Sequence, residues 1–119
     1  GVSILTSLDS SQTKKYNYND NVENIVSDYT HYALKNKLDG VVCSPKEIKI
    51  VKKIASDKLI IITPGIRPSS SSNIQDDQKR FMTPKEAIKC GANYLVIGRP
   101  ITQSLKPLKT LQKINTSLE

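Results

Sequence analysis

A chain of 119 residues with 37% apolar and 24% charged side chains has the composition of one folded domain, which excludes a disordered segment. It carries no apolar run of membrane length and no cationic, apolar leader, so nothing points to a membrane or to secretion. The formal charge of +7 raises nucleic-acid binding as a class, but lysines such as Lys14, Lys35, Lys46, Lys52, Lys85 and Lys109 are scattered along helix-like segments without interleaved aromatics, so the charge does not argue for it.

The first residue is Gly1, not Met, and an apolar run follows at once, so the expectation is a fragment of a longer protein. Val2-Ser3-Ile4-Leu5 reads as a short buried strand, with Thr6-Ser7 at its end. Thr6 either donates to a ligand from that rim or satisfies the local backbone; the residue types do not decide. Residues 9 to 21 are polar and read as a loop, after which Val22, Ile25, Val26, Tyr29 and Ala33 recur at the spacing of an amphipathic helix. Asp39-Gly40 turns the chain into a second strand, Val41-Val42-Cys43.

Ser44-Pro45-Lys46-Glu47 is a helix start: serine as cap, proline at the first position and glutamate three residues after the cap. Ile48, Val51, Ile54 and Ala55 supply the apolar face of that helix. Leu59-Ile60-Ile61-Ile62 is the third strand, and an uninterrupted apolar run suits burial on both faces of a parallel sheet. From Pro68 to Met82 the chain is polar and aperiodic, with four consecutive serines, and reads as a lid between two turns. Thr83-Pro84-Lys85-Glu86 repeats the capped helix start, closing near Cys90-Gly91. Tyr94-Leu95-Val96-Ile97 is the fourth strand, and Leu108, Leu111, Ile114 and Leu118 mark a last helix, with Pro107 in its first turn.

Two turns follow the last two strands: Thr63-Pro64-Gly65-Ile66-Arg67-Pro68 and Val96-Ile97-Gly98-Arg99-Pro100. Of the 18 basic residues only three are arginine, and Arg67, Arg80 and Arg99 all fall in these turns or the loop between them. Glycine lets backbone N–H groups approach an anion, and a guanidinium offers a planar fork of donors, so the pattern reads as a phosphate site. Cys43 and Cys90 are too far apart for a CxxC motif and suit a reducing, cytoplasmic setting; Cys43 at a strand end is a conceivable catalytic thiol, set against a small buried residue. His31 has no ligand-type partner at metal spacing.

The strand, capped helix, strand rhythm amounts to four βα units with parallel strands. A closed eight-unit barrel needs about 200 residues or more, and its phosphate turns commonly follow strands seven and eight. The expected fold is therefore α/β, the C-terminal half of a (β/α)8 TIM barrel, with residues 1–119 forming part of a single domain. Alone, such a half exposes sheet edges and is expected to aggregate or partly unfold unless they are covered.

Six motifs in order carry a resemblance: Ile4-Leu5-Thr6-Ser7, Asp39-Gly40-Val41-Val42-Cys43-Ser44, Thr63-Pro64-Gly65-Ile66-Arg67-Pro68, Asp77-Gln78-Lys79-Arg80, Met82-Thr83-Pro84 and Ile97-Gly98-Arg99-Pro100. Together they resemble the bacterial type of orotidine 5'-phosphate decarboxylase, from end to end of the chain. The resemblance implies a homodimeric, cytoplasmic barrel that converts orotidine 5'-phosphate to UMP and carbon dioxide without metal or organic cofactor. It implies that Arg99 and the Gly98 backbone hold the substrate phosphate. Gln78 on the lid would reach phosphate and pyrimidine together, Arg67 would be a further substrate contact, and Thr6 a contact on the pyrimidine side. The family's D-x-K-x-x-D motif, whose lysine protonates the C6 carbanion, occurs nowhere in these residues, so no catalytic residue is expected here and the segment alone is expected to be inactive. The alternatives are another phosphate-binding barrel enzyme, such as a sugar-phosphate lyase, or a non-catalytic remnant.

Overall fold

The computed structural model describes residues 1–4, 12, 20–68 and 82–119. Among these, helix α1 spans Val22–Lys35, strand β1 Gly40–Val42, helix α2 Ile48–Ala55 and strand β2 Ile60–Thr63. Helix α3 spans Pro84–Cys90, strand β3 Tyr94–Leu95, helix α4 Arg99–Thr102 and helix α5 Pro107–Thr116. The strands form one sheet in the order β1-β2-β3, all parallel, with Val42 opposite Ile62 and Ile62 opposite Tyr94.

The expected first strand is present as a shorter pairing. Val2 bridges Val42 in parallel, Ser3 N–H donates to Val42 O at 3.0 Å, and Val42 N–H donates to Gly1 O at 2.7 Å. The spatial order is thus residues 1–3, β1, β2, β3, which is the four-unit parallel array expected from the sequence. The fourth strand is also shorter than read: only Tyr94 and Leu95 are regular, although Val96 N–H still reaches Thr63 O at 2.9 Å. The expected loop over residues 9–21 lies largely outside the described residues, and Gln12 within it is helical.

Two of the helices, α1 and α3, start on a side-chain cap. Asn21 Oδ1 accepts the Asn24 N–H at 2.9 Å, with Glu23 in the first turn of α1 and Lys35 in its last, complementing the helix dipole. The Ser44 start first winds one 3-10 turn over Pro45–Glu47 before α2 begins. At α3, Thr83 Oγ1 accepts the Glu86 N–H at 3.4 Å while Thr83 N–H donates to Glu86 Oε2 at 3.0 Å, a reciprocal cap closed at the far end by Gly91 in left-handed conformation.

The helices cover one face of the sheet. In a parallel sheet, paired residues share a face, and Val41, Ile61 and Thr63 all point to the helix side and are buried. There they meet Val26 and Ala33 of α1, Ile48 and Val51 of α2 and Ala87 of α3. Each large aliphatic side chain removed from water here contributes about 1.5–3 kcal/mol. The opposite face, carrying Val2, Ile60 and Tyr94, is exposed. The stripe of α5 departs from expectation as well: only Ile114 is buried, and Leu108, Leu111 and Leu118 are exposed, because no described element packs on their side.

Candidate phosphate-binding site at the strand ends

Parallel strands put all their carboxyl ends on one side, so the turns after β2 and β3, which are adjacent strands, open on the same rim. After β2 the chain passes Pro64 and enters Gly65 at φ 74°, a left-handed conformation that glycine adopts without steric cost. Ile66 then buries completely and bridges Met82 in parallel, with Arg67 N–H donating to Met82 O at 3.0 Å. The two feet of the 68–82 segment are thereby tied together, and Arg67 stands at the tie. Its Nη1 donates to Ile66 O at 2.9 Å, which anchors the half-buried guanidinium on its own loop.

After β3, Gly98 precedes the short helix α4, whose first residue is Arg99. A Cβ added at Gly98 would meet no atom within 4 Å, and its φ of −97° is open to any residue. Neither packing nor φ therefore demands glycine there; what glycine supplies is clear space beside Arg99. Ile101 N–H and Thr102 N–H both return to Gly98 O, at 2.8 and 3.0 Å, so the turn is held by its own backbone.

Beneath this rim lies a buried polar cluster that residue types alone did not reveal. Cys43 is 1% exposed and Glu47 2%, and Ser44 and Thr63 are fully buried. The Glu47 carboxylate accepts the Ser44 N–H at 3.1 Å, whereas the Ser44 and Thr63 hydroxyls find no hydrogen-bond partner among the described residues. Burial, reinforced by the Glu47 charge, pushes the Cys43 thiol up to about 12, and the neighbouring Thr63 hydroxyl offsets only part of that. At 1% exposure Cys43 packs as a small buried residue, which fits the packing reading of the two. The only advance signal for the cluster was Glu47 in a capping pattern, which does not say whether the cap is buried.

Of the expected site residues, the described fold holds Arg67, Gly98 and Arg99 on one rim, while Thr6 and Gln78, like the lid over 69–81, lie outside the described residues. His31 is exposed on α1, and no group of three or more His, Cys, Asp or Glu side chains among the described residues is arranged to hold a metal ion. No helix among them is long and apolar enough to cross a membrane.

Comparison with known proteins bears on the whole length. Residues 1–114 match the model of the orotidine 5'-phosphate decarboxylase / HUMPS family. The chain is 45% identical over 119 residues to an orotidine 5'-phosphate decarboxylase of Coxiella burnetii and 44% identical over 117 residues to that of Haemophilus ducreyi. It covers 100% and 98% of itself in these matches but 50% of each relative, so it spans about half the length of the curated relatives it matches. The crystal structure of the Lactobacillus acidophilus decarboxylase superimposes with a TM-score of 0.77 at 30% identity, over 99% of this chain and 47% of that one. An uncharacterized conserved protein of Geobacillus kaustophilus superimposes with a TM-score of 0.74 at 26% identity, again over 99% of this chain and 47% of that one. With half a parallel barrel, an arginine turn at each of two adjacent strand ends and a family match over nearly all its residues, the chain belongs to the orotidine 5'-phosphate decarboxylase / HUMPS family.

Proposed function

We propose that this chain is the substrate-gripping half of an orotidine 5'-phosphate decarboxylase, the enzyme that yields UMP and carbon dioxide. The observation that carries the reading is the pair of arginine turns on one rim, one of them opening onto clear space at Gly98. In this reading Arg99 and the Gly98 backbone take the substrate phosphate, and Arg67, fixed at the foot of the 68–82 segment, takes a second substrate contact. Gln78 bridges phosphate and pyrimidine, and Thr6 meets the pyrimidine. A guanidinium pair suits a dianionic phosphate because each offers fixed, parallel donors.

Binding energy from the phosphate, remote from the reacting carbon, can be used to close the segment over the substrate and exclude water, so the grip raises rate as well as affinity. The bond that breaks joins C6 of the pyrimidine to its carboxylate, and the resemblance assigns the proton that replaces carbon dioxide to a lysine outside these residues. We read the whole protein as a cytoplasmic homodimer acting on this small-molecule substrate, without cofactor and without nucleic-acid partner.

The test joins this chain to the half of the Coxiella burnetii relative that it does not match and follows loss of orotidine 5'-phosphate absorbance. Turnover is expected, with Arg99→Ala raising KM for the nucleotide by at least a hundredfold. A folded chimera that binds sugar phosphates as well as UMP, or that turns nothing over, would sink the reading.

A further inference from the structure

We infer that Asn93 is a positioning residue for the phosphate grip: its side chain pins the register of β3 against β2 and so fixes how Arg99 stands relative to Arg67. The inference rests on the substrate-gripping reading given above. Asn93 belongs to neither of the glycine-arginine turns and sits at the amino end of β3, at the opposite end of the strands from the rim. It therefore does not touch a ligand held at the rim, and it acts through the strand that follows it.

Register is weakly set in so short a strand. Only two residue pairs join β2 and β3, Ile62 opposite Tyr94 and Thr63 opposite Leu95, and with Tyr94 exposed and Leu95 half-buried, side-chain packing pins β3 little. Asn93 extends that ladder by one rung: its N–H donates to Ile61 O at 2.9 Å, and its Oδ1 accepts the Ile61 N–H at 2.8 Å. One asparagine thus takes both backbone groups of a fully buried residue, and without Oδ1 the Ile61 N–H would lose its acceptor. The clamp is itself anchored. Gly91 closes α3 at φ 109°, Ala92 N–H returns to Ala87 O at 3.0 Å, and Ala92 is buried in the core, so Asn93 meets Ile61 from a fixed point.

The same register places the two arginines at the rim. From β2 the chain runs through Pro64 and Gly65 to Arg67, and from β3 through Val96 and Ile97 to Gly98 and Arg99. Among the described residues, the backbone bond nearest the rim between these two paths is Val96 N–H to Thr63 O at 2.9 Å. A slip of two residues is the smallest that keeps every side chain on its face, and it would carry Arg99 about 7 Å along the strand relative to Arg67. Two guanidiniums that share one ligand do not tolerate such a shift, because a misplacement of about 1 Å already costs on the order of a hundredfold.

The test uses the chimera of this chain with the unmatched half of the Coxiella burnetii relative and measures dissociation constants for UMP and for uridine, which lacks the phosphate. Asn93→Ala is expected to weaken UMP about tenfold and to leave uridine within about twofold, whereas Asn93→Asp, which keeps the acceptor oxygen, stays within about twofold of the parent for both. Loss of folded protein lowers the number of binding sites without changing either constant, so the ratio of the two separates positioning from stability. Amide exchange supplies a readout that needs no ligand. Ile61 and Val96 should exchange faster in Asn93→Ala and at the parent rate in Asn93→Asp, while Cys43, which donates to Ile62 O at 3.1 Å on the other side of β2, stays unchanged. Equal weakening of UMP and uridine, an unchanged UMP affinity, or an Asn93→Asp variant as weak as Asn93→Ala would each overturn the inference. If the parent chimera binds no UMP, the substrate-gripping reading fails and exchange at Val96 decides the rest: faster exchange in Asn93→Ala upholds the clamp, and an unchanged rate removes it.

Discussion

The chain writes nearly the same four residues twice, Ser44-Pro45-Lys46-Glu47 and Thr83-Pro84-Lys85-Glu86, and the fold uses them differently. Both glutamates accept the N–H of their capping residue, at 3.1 and 3.0 Å. The second cap is at the surface, where the Thr83 hydroxyl and N–H both bond Glu86 and hold its carboxyl below the usual carboxylate range. The first is sealed under α2 at the end of β1, its carboxylate 2% exposed and its Ser44 hydroxyl without a partner among the described residues. One local grammar thus serves as an independent helix start at the surface and as part of a polar floor beneath the strand-end rim.

Substitution should separate the two caps by size of effect. Glu47→Ala strands a buried Ser44 N–H and opens a cavity, and is expected to cost about 3 kcal/mol in denaturant unfolding; a loss no larger than that of Glu86→Ala would remove the distinction. Next in size is the Cys43 thiol beside Glu47. Its proton is held up to about 12, whereas in the unfolded chain it leaves near the ordinary thiol value, so the unfolded state binds fewer protons over that interval and stability falls as pH rises through it. The loss approaches about 1.4 kcal/mol per pH unit, and Cys43→Ala should flatten this alkaline limb relative to the parent; identical limbs would contradict the burial argument.

At the surface cap, Thr83→Ala should cost about 1 kcal/mol, the usual value of a helix N-cap, while Thr83→Ser should cost little. The smallest effect belongs to Glu86. Because folding lowers the proton affinity of its carboxyl, the stabilisation is present above the ordinary carboxylate pKa and is lost as pH falls through the lowered folded value. Glu86→Gln should remove that acid dependence at the expense of a small loss of stability at neutral pH, so that parent and variant converge as pH falls, read from midpoints at pH 3 to 7. A neutral-pH loss as large as that of Glu47→Ala would mean the two caps are equivalent after all.

Much of the fold was legible because its signals are local. Caps at Ser44 and Thr83, the helical spacing of Val22, Ile25, Val26 and Ala33, and the isoleucine run of β2 each depend on neighbours within one turn or one strand. The turns at Gly65 and Gly98 were legible for the same reason, since glycine and proline restrict backbone angles directly. What was overestimated is equally physical. The first and fourth strands are shorter than their apolar runs, and the α5 stripe is largely bare, because strand length and helix burial depend on a neighbour that the described residues do not supply.

By itself, then, the sequence determined the βα units, the capped starts at Asn21 and Thr83 and the two glycine-proline turns that carry Arg67 and Arg99, all of which follow from backbone restriction and side-chain period. Only the tertiary structure decided that Glu47 and Cys43 are sealed while Glu86 is wet, that Gly98 borders open space, and that one face of the sheet is covered and the other bare. Burial is a relation between segments distant in sequence, and no run of residues carries it alone.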